Sequence, residues 1–357
     1  MKKSLQLKHT LIYTLYCGGL YGTERMALAT LTGLPKEDYD IFFICPPGMA
    51  SKAAQHQGIT TYTFTTKWQF IGLMVKIFQE NGNIILIASS VSHSILMSLL
   101  SIVLFKKIKH FHIVHGGADE LNSYKKKKVL RFFKIQFIAV SEFVKIKLSS
   151  YKINPNNISV IENFISTNRK IHQKDNLTWP PKQVVLVSRL DPIKRLDLLT
   201  SLLKKYPALN LLSFTIYGTG GDINKYQSMA NKDNLNIHYA GYCTDIVSEI
   251  RKYDLFLHLC PDEPFGLVIL EAMLAGVPVL APNSGGPKDI INHSKTGFIY
   301  NNTDIDDLSK QLLYLSKISI TNIKLITKQA QEELQSKYLA DAGIARYINL
   351  IVSYSAI

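Results

Sequence analysis

Glu263 and Glu271 stand eight residues apart, and Glu271 is the only charged residue between Pro264 and Pro287. That apolar stretch reads as a buried helix closed by Gly276 and Pro278, after which Val279-Leu280-Ala281 resumes as a strand. A carboxylate on such a helix needs hydroxyls or N–H donors in place of water. Side chains tilt toward a helix N-terminus, so Glu271 leans toward the opening turn, where the amides of Phe265, Gly266 and Leu267 lack intrahelical acceptors. Gly266 lets a ligand reach the backbone, and the helix dipole favours an anion there. Glu263, just ahead of the turn, sets a second carboxylate beside that ligand; simple capping of the helix is the alternative use for it.

A second group lies upstream. The apolar strand Val184-Val185-Leu186-Val187 ends in Ser188-Arg189, and a tight turn leads through Asp191-Pro192 to Lys194 and Arg195 at the start of a helix. Cations at the positive end of a helix are unfavourable unless an anion such as a diphosphate sits between them; two solvated surface cations are the other reading. The strand Phe214 to Tyr217 runs into Gly218-Thr219-Gly220-Gly221, a turn that either holds a phosphate or only reverses the chain.

Short apolar runs alternating with amphipathic stretches must position these residues, a pattern that predicts parallel sheets covered by helices on both faces. Strands are expected near 9–16, 40–45, 84–88, 110–115, 136–140 and 158–161, then near 183–188, 212–217, 236–240, 254–259 and 277–281. A length of 357 residues suits two such units, each with its own core. Between them, 166–182 lacks periodicity and carries Trp179-Pro180-Pro181, the expected linker. The expected division is therefore 1–165, the linker 166–182, and 183–335, with a terminal helix over 336–357 crossing back to the first domain. Ligands of open α/β sheets bind beyond the carboxyl ends of the strands.

Composition excludes several classes. With 46% hydrophobic and 19% charged residues the chain is globular rather than disordered. Cys17, Cys45, Cys243 and Cys260 show no Cys-x-x-Cys spacing, so no zinc site or disulfide framework is expected, and a reducing cytoplasm fits. Lys2, Lys3 and Lys8 ahead of an apolar run imitate a signal peptide, but no small-x-small cleavage signal follows. Ile84 to Phe105 is uncharged and long enough to span a bilayer, yet its six serines suit a strand followed by a packed helix. Of the net charge of +14, residues 1–165 hold +11. The densest cluster, Lys125 to Lys128 with Arg131 and Lys134, is interleaved with Val129, Leu130, Phe132 and Phe133, a pattern for an anionic membrane surface, a solvated face or a nucleic-acid backbone.

These residues resemble the family 4 retaining glycosyltransferases of the group 1 class. The likeness rests on Arg189 to Lys194, Tyr217 to Gly221, Gly241-Tyr242 and Glu263 to Gly297; Glu263 and Glu271 match the family's E-x7-E motif, and Ser284-Gly285-Gly286-Pro287 with Thr296-Gly297-Phe298 the motif after it. It implies a GT-B α/β fold, two Rossmann-like doubly wound domains facing an interdomain cleft, with the acceptor on the first and the donor mainly on the second. By position it implies that Arg189 and Lys194, with Gly18 and Gly19 of a first glycine loop, hold the donor diphosphate. Glu263 and the backbone of Phe265, Gly266 and Leu267 would hold the transferred sugar, and Glu271, Tyr242 and Gly218 the nucleoside. His115, in Ile113-Val114-His115-Gly116-Gly117, matches a strand-end histidine that contacts sugar or acceptor, so Glu263 and His115 are the expected catalytic residues; a structural histidine is the other reading. Ser141, Glu142 and Asn163 match positions of cleft architecture. Phe164 stands where the family has a glycine, Asp289 where it has a glutamate, and Leu20-Tyr21 displaces the first glycine loop.

The implied activity is retaining, metal-independent transfer of a hexose from a nucleotide-diphosphate sugar, with a UDP-sugar the expected donor and no cofactor. The acceptor would be a glycan or lipid-linked molecule in bacterial surface polysaccharide synthesis, such as lipopolysaccharide or capsule. Asp304-Ile305-Asp306 has the spacing of a metal motif but reads as a helix N-cap with an acidic first turn. The expected location is cytoplasmic and peripheral, with the basic N-terminal domain on the anionic inner-membrane surface and no nucleic acid bound. Rival readings are a nucleotide-sugar epimerase or phosphorylase of the same fold, and a basic membrane- or nucleic-acid-binding protein with a vestigial donor site.

Overall fold

The computed structural model describes residues 8–116, 120–165, 171, 174, 176–301 and 304–354, side chains of 120–123 excepted; Lys2, Lys3, Gly117 and much of the expected linker lie outside them. The chain divides into two compact units, Met1–Ser166 with Ala340–Ile357, and Thr167–Leu339.

Unit 1 is built on β1 (His9–Thr14), β2 (Tyr39–Cys45), β3 (Thr60–Thr63), β4 (Ile84–Ala88), β5 (Ile108–Val114), β6 (Gln136–Ala139) and β7 (Ile158–Val160). They form one parallel sheet in the order β3-β2-β1-β4-β5-β6-β7. Its helices are α1 (Gly22–Gly33), α2 (Met49–His56), α3 (Lys67–Glu80), α4 (Val91–Val103), α5 (Glu120–Lys127) and α6 (Glu142–Ser150). Unit 2 adds β8 (Gln183–Val187), β9 (Ser213–Tyr217), β10 (Ile237–Gly241), β11 (Leu255–Leu257), β12 (Val279–Pro282) and β13 (Phe298–Tyr300), again all parallel, in the order β10-β9-β8-β11-β12-β13. Its helices are α7 (Leu196–Lys205), α8 (Ile223–Lys232), α9 (Ile246–Ile250), α10 (Leu267–Ala275), α11 (Pro287–Ile290), α12 (Ile305–Leu315) and α13 (Ile320–Lys337). The last helix, α14 (Ala340–Ser353), packs on α1 in unit 1, where Gly33 lies against Ile344 and Gly343 against the Phe164 ring. A side chain at Gly343 would meet that ring at 2.1 Å.

Both sheets run outward in opposite directions from a central pair, β1 with β4 and β8 with β11, so each has a topological switch point. Two strands escaped the sequence pattern. β3 is polar, largely exposed and at a sheet edge, and β13 spans three residues, too few to establish a period. The uncharged run from Ile84 divides into the buried β4 and the helix α4, and no helix among the described residues is long and apolar enough to cross a membrane.

Unit 1 buries an unusual number of histidines. Ser94 and Ser98, one turn apart on α4, meet His112 Nδ1 and His110 Nδ1 at 2.8 and 3.1 Å, while the Nε2 atoms of both rings, His115 Nε2 and His93 Nδ1 are buried without a hydrogen-bond partner among the described residues. Burial pushes His93 and His115 down to about 4 and His110 to about 3, with Lys127 adding to the effect on His115; His112 is pushed well below its ordinary value by burial first, then by Lys127. These rings are neutral in the fold, whereas an unfolded histidine takes its proton near pH 6.5. The unfolded chain therefore holds more protons below that pH, and their contribution, full above it, is lost as pH falls toward 4, by up to about 1.4 kcal/mol per pH unit for each ring. Hydrogen exchange corrected for intrinsic rates is expected to show β4, β5 and α4 losing protection between pH 7 and pH 5; protection that does not change would contradict this account.

Candidate active site

The switch point of unit 2 collects the polar groups. After β8 the chain passes Ser188 and Arg189 into the 3-10 turn Pro192–Lys194, and Arg195, left-handed at φ 56°, redirects it into α7. After β11 it passes His258, Leu259 and Cys260 to Glu263 and on to α10, which opens at Gly266 with φ 106° and closes at Gly276 with φ 70°. Because β8 and β11 are neighbours, their following loops meet. Lys194 Nζ donates to Glu263 Oε2 at 2.7 Å, and the two side chains are only 15% and 16% exposed. Lys194 also reaches Cys260 Sγ at 3.9 Å, and His258 Nε2 stands 3.4 Å from Glu263 Oε2, close enough to act electrostatically but without hydrogen-bond alignment.

The charges of this group hold one another in place. Burial alone would raise Glu263, yet the Lys194 charge, followed by the contact with His258, keeps its carboxyl well below the usual carboxylate range. Burial likewise disfavours the Lys194 ammonium, and the charge of Glu263, then Cys260 and the hydrogen bond, outweigh it and hold the lysine above its ordinary value. Lys194, Ser188, His258 and Cys260 line one small pocket. Ser188 Oγ and His258 Nε2 are both buried there without a hydrogen-bond partner among the described residues, an expensive arrangement for a pocket that holds nothing polar.

Glycines make the close approach possible. Gly285, at φ 64°, and Gly286 lie directly under the Glu263 loop: a Cβ on Gly285 would sit 2.7 Å from the carbonyl oxygens of Glu263 and Pro261, and one on Gly286 only 2.4 Å from Phe265 Cα. Gly286 N donates to Glu263 O at 2.7 Å, and Ser284 Oγ to Pro261 O at 2.7 Å. On the other side the glycine turn after β9 braces the β8 loop, with Gly218 so close that a Cβ would overlap Ser188 O at 1.8 Å, and with Leu190 N donating to Thr219 O.

The sequence of the chain matches two family descriptions in succession, "Glycosyltransferase Family 4" over residues 21–169 and "Glycosyl transferases group 1" over residues 167–332. The chain belongs to the family 4, group 1 glycosyltransferases. Among its relatives, a poly(ribitol-phosphate) alpha-N-acetylglucosaminyltransferase of Staphylococcus aureus is 30% identical over 201 residues, 55% of this chain and 40% of its own. A GDP-mannose-dependent alpha-mannosyltransferase of Mycobacterium tuberculosis is 34% identical over 124 residues, 34% of this chain and 31% of its own. The matched regions thus span less than half of either relative. The crystal structure of Anabaena HepE in complex with UDP and glucose superposes with a TM-score of 0.81 over 97% of this chain and 100% of that one, at 17% identity, which establishes the GT-B fold.

Within this family member, Lys194 and Glu263 are brought together, with Arg189 near enough for its charge to act on Lys194. Arg189 itself is 49% exposed and paired with Asp191 at 3.2 Å. Glu263 does not cap α10; its carboxylate turns to Lys194 instead. Glu271, expected to be buried, is half-buried, because Leu267, Val268 and Glu271 form a stripe of α10 that its neighbours leave partly open. Tyr242 is exposed just beyond the edge strand β10. Gly18, Gly19 and His115 belong to unit 1, at the ends of β1 and β5; Gly18 packs on Pro46 and Pro47, whose carbonyl oxygens would lie 2.8 and 2.7 Å from a Cβ there. Ser141 caps α6 by accepting from Val144 N, and Asp304 caps α12 by accepting from Asp306 N and Asp307 N, while Asp306 itself pairs with Lys205 and Tyr206.

Three residues escaped sequence reasoning. Ser188, His258 and Cys260 sit in or beside runs that read as apolar strand, and only the i, i+2 spacing of His258 and Cys260 hints that both face the same way. Gly286→Ala is expected to cost about 1–3 kcal/mol through overpacking against Phe265, against no more than about 0.5 kcal/mol for Gly221→Ala, where a Cβ meets nothing within 4 Å. Urea unfolding followed by Trp179 fluorescence in a Trp68→Phe background checks this, and equal midpoints for the two variants would show that the 284–286 loop yields freely.

Proposed function

We propose that the chain is a retaining, metal-independent hexosyltransferase that takes its sugar from a nucleotide diphosphate, a UDP-sugar in the first instance. The observation that carries this reading is the Lys194–Glu263 pair at the switch point of unit 2, with Lys194 lining a pocket in which Ser188 Oγ and His258 Nε2 make no hydrogen bond among the described residues. Lys194 and Arg189 bind and neutralise the diphosphate, and the amides at the start of α10 add the positive end of a helix dipole. Glu263 accepts hydroxyl hydrogens of the sugar, and Glu271 with Tyr242 and Gly218 serves the nucleoside. The names of the relatives, transferases for N-acetylglucosamine and mannose, and the UDP and glucose of HepE support the class without fixing sugar or base.

In the transfer step the bond from the anomeric carbon to the leaving phosphate breaks as the acceptor oxygen bonds on the same face. The acceptor proton passes to the departing phosphate oxygen. The cations stabilise charge that grows on the leaving group, an effect commonly worth a few kcal/mol per donor in a dry site. His115, half-buried and neutral, suits contact with a sugar or acceptor hydroxyl rather than proton exchange near pH 7. The acceptor is a glycan or lipid-linked molecule of a bacterial surface polymer.

Unit 1 presents a face suited to an anionic membrane. Phe105 is 94% and Phe132 73% exposed, the 3-10 segment Lys128–Phe132 packs against α4, and Lys107, Lys125, Lys126, Arg131 and Lys134 are exposed around them; Tyr124, Lys127 and Leu130 face inward instead. Such apolar residues among cations bind anionic lipid surfaces.

Lys194→Gln and Glu263→Gln are each expected to abolish transfer with native circular dichroism retained, and EDTA to leave the wild-type rate undiminished. Full activity in either variant would remove the clamp, and loss of activity in EDTA would remove metal independence. In a thermal-shift screen of nucleotide sugars, the true donor at about 100 times its Kd stabilises by about 2.7 kcal/mol. The chain should float with anionic liposomes at low salt and Phe105→Ser/Phe132→Ser should not; a wild-type chain that stays with the soluble fraction ends the membrane assignment.

A further inference from the structure

His258, Cys260 and Glu263 offer a nitrogen, a sulfur and an oxygen, all within 4.8 Å of one another, from residues that are buried or half-buried. His258 and Cys260 extend β11 at i and i+2, so both side chains leave the same face of the strand, and Glu263 returns to them from the following loop. His258 Nε2 is the ring nitrogen that points at this group, and it has no hydrogen-bond partner among the described residues although the residue is 3% exposed. A tetrahedral zinc ion with one N, one S and one O ligand needs ligand-to-ligand edges of roughly 3.3–3.7 Å, and the edge from His258 Nε2 to Glu263 Oε2 already measures 3.4 Å.

We propose that these three side chains form a site for a single thiophilic divalent cation, Zn²⁺ above all, which binds in place of the Lys194 ammonium. The charges agree with that exchange. The buried group is neutral overall when Lys194 faces the Glu263 carboxylate, and it is neutral again when a divalent ion faces that carboxylate and the Cys260 thiolate. On binding, the thiol proton passes to solvent, sulfur and Nε2 bond the metal, and Lys194 gives up Oε2. Three protein ligands leave the fourth position to water. Hard cations such as Mg²⁺ favour all-oxygen sets and should not compete. Where Lys194 and Glu263 serve a nucleotide sugar, as proposed above, the metal and the donor exclude each other, so zinc acts as an inhibitor of this chain rather than as its cofactor.

The test uses the full chain in a Cys17→Ser/Cys243→Ser background, which leaves Cys260 and the buried Cys45 as the only thiols. Titration with Co²⁺ is expected to raise a thiolate-to-cobalt charge-transfer band that saturates at one equivalent, is unaffected by Mg²⁺ and is displaced by Zn²⁺. Cys260→Ser, near-isosteric and checked for unchanged near-ultraviolet circular dichroism, should lose the band, and His258→Gln should weaken binding. Absence of the band in the parent, or its survival in Cys260→Ser, overturns the site. A separate titration with UDP reads the link to the donor reading: its apparent Kd should rise in proportion to free Zn²⁺ and stay constant in Cys260→Ser. Cobalt binding with no effect on UDP affinity keeps the metal site and overturns the exclusion, whereas failure of UDP to bind without metal counts against the donor reading alone.

Discussion

A carboxylate and an ammonium, 2.7 Å apart and largely shut off from water, set the terms for the rest of unit 2. Each ion alone would be costly to bury, and removing one partner of such a pair typically costs about 3–5 kcal/mol because the other is left uncompensated. The fold must therefore deliver both at once, from positions 69 residues apart in sequence. Adjacency of β8 and β11 does this: their pairing aligns the two strands, and the loops beyond their carboxyl ends cannot avoid each other. The remaining features are supports. Gly285 and Gly286 allow a second loop to hold the Glu263 backbone from below, and Gly218 allows a third to brace Ser188.

Unit 1 uses the same topology for a different balance. Its switch point lies between β1 and β4, and the loop after β1 is fixed by backbone contact, with Ala50 N donating to Gly18 O and Gly48 pressed against Gly18. Among the polar groups buried here are histidines that burial keeps neutral. A neutral ring with one unpaired nitrogen costs far less to bury than a lone ion, which is why the serines of α4 suffice as partners. Among the described residues of that unit, Lys107, Lys125, Lys126, Arg131 and Lys134 are exposed, as are Phe105 and Phe132, whereas Lys127 is buried.

Much of this was legible beforehand because central parallel strands are continuous apolar runs, and runs such as Val184 to Val187 or Ile84 to Ala88 have few other uses. Helix ends were legible for the same kind of reason: Gly276 and Asp304 do what their backbone freedom and side chain permit, and both are seen as caps. An edge strand can do without such a signal, and β3, polar and largely exposed, shows none. Sequence could place Lys194 and Glu263 at loop starts, but it could not say that the two would neutralise each other, since that follows from strand order and not from spacing along the chain. Nor could it set Ser188, His258 and Cys260 around Lys194, because a polar residue inside an apolar run looks the same whether it faces a core or a pocket.

One lysine with two claims on it has a consequence for how a donor would be held. A diphosphate can draw Lys194 away from Glu263, since it carries more charge than one carboxylate and the amides of the α10 start add to its side. Glu263 would then remain buried without its counter-ion, with His258 Nε2 beside it at 3.4 Å. Sugar hydroxyls are the natural replacement, because a carboxylate can accept from two of them and regain what the lysine supplied. Under the proposed donor reading, a nucleotide diphosphate lacking its sugar would leave that carboxylate unsatisfied, so the same pair would favour the complete donor over the product.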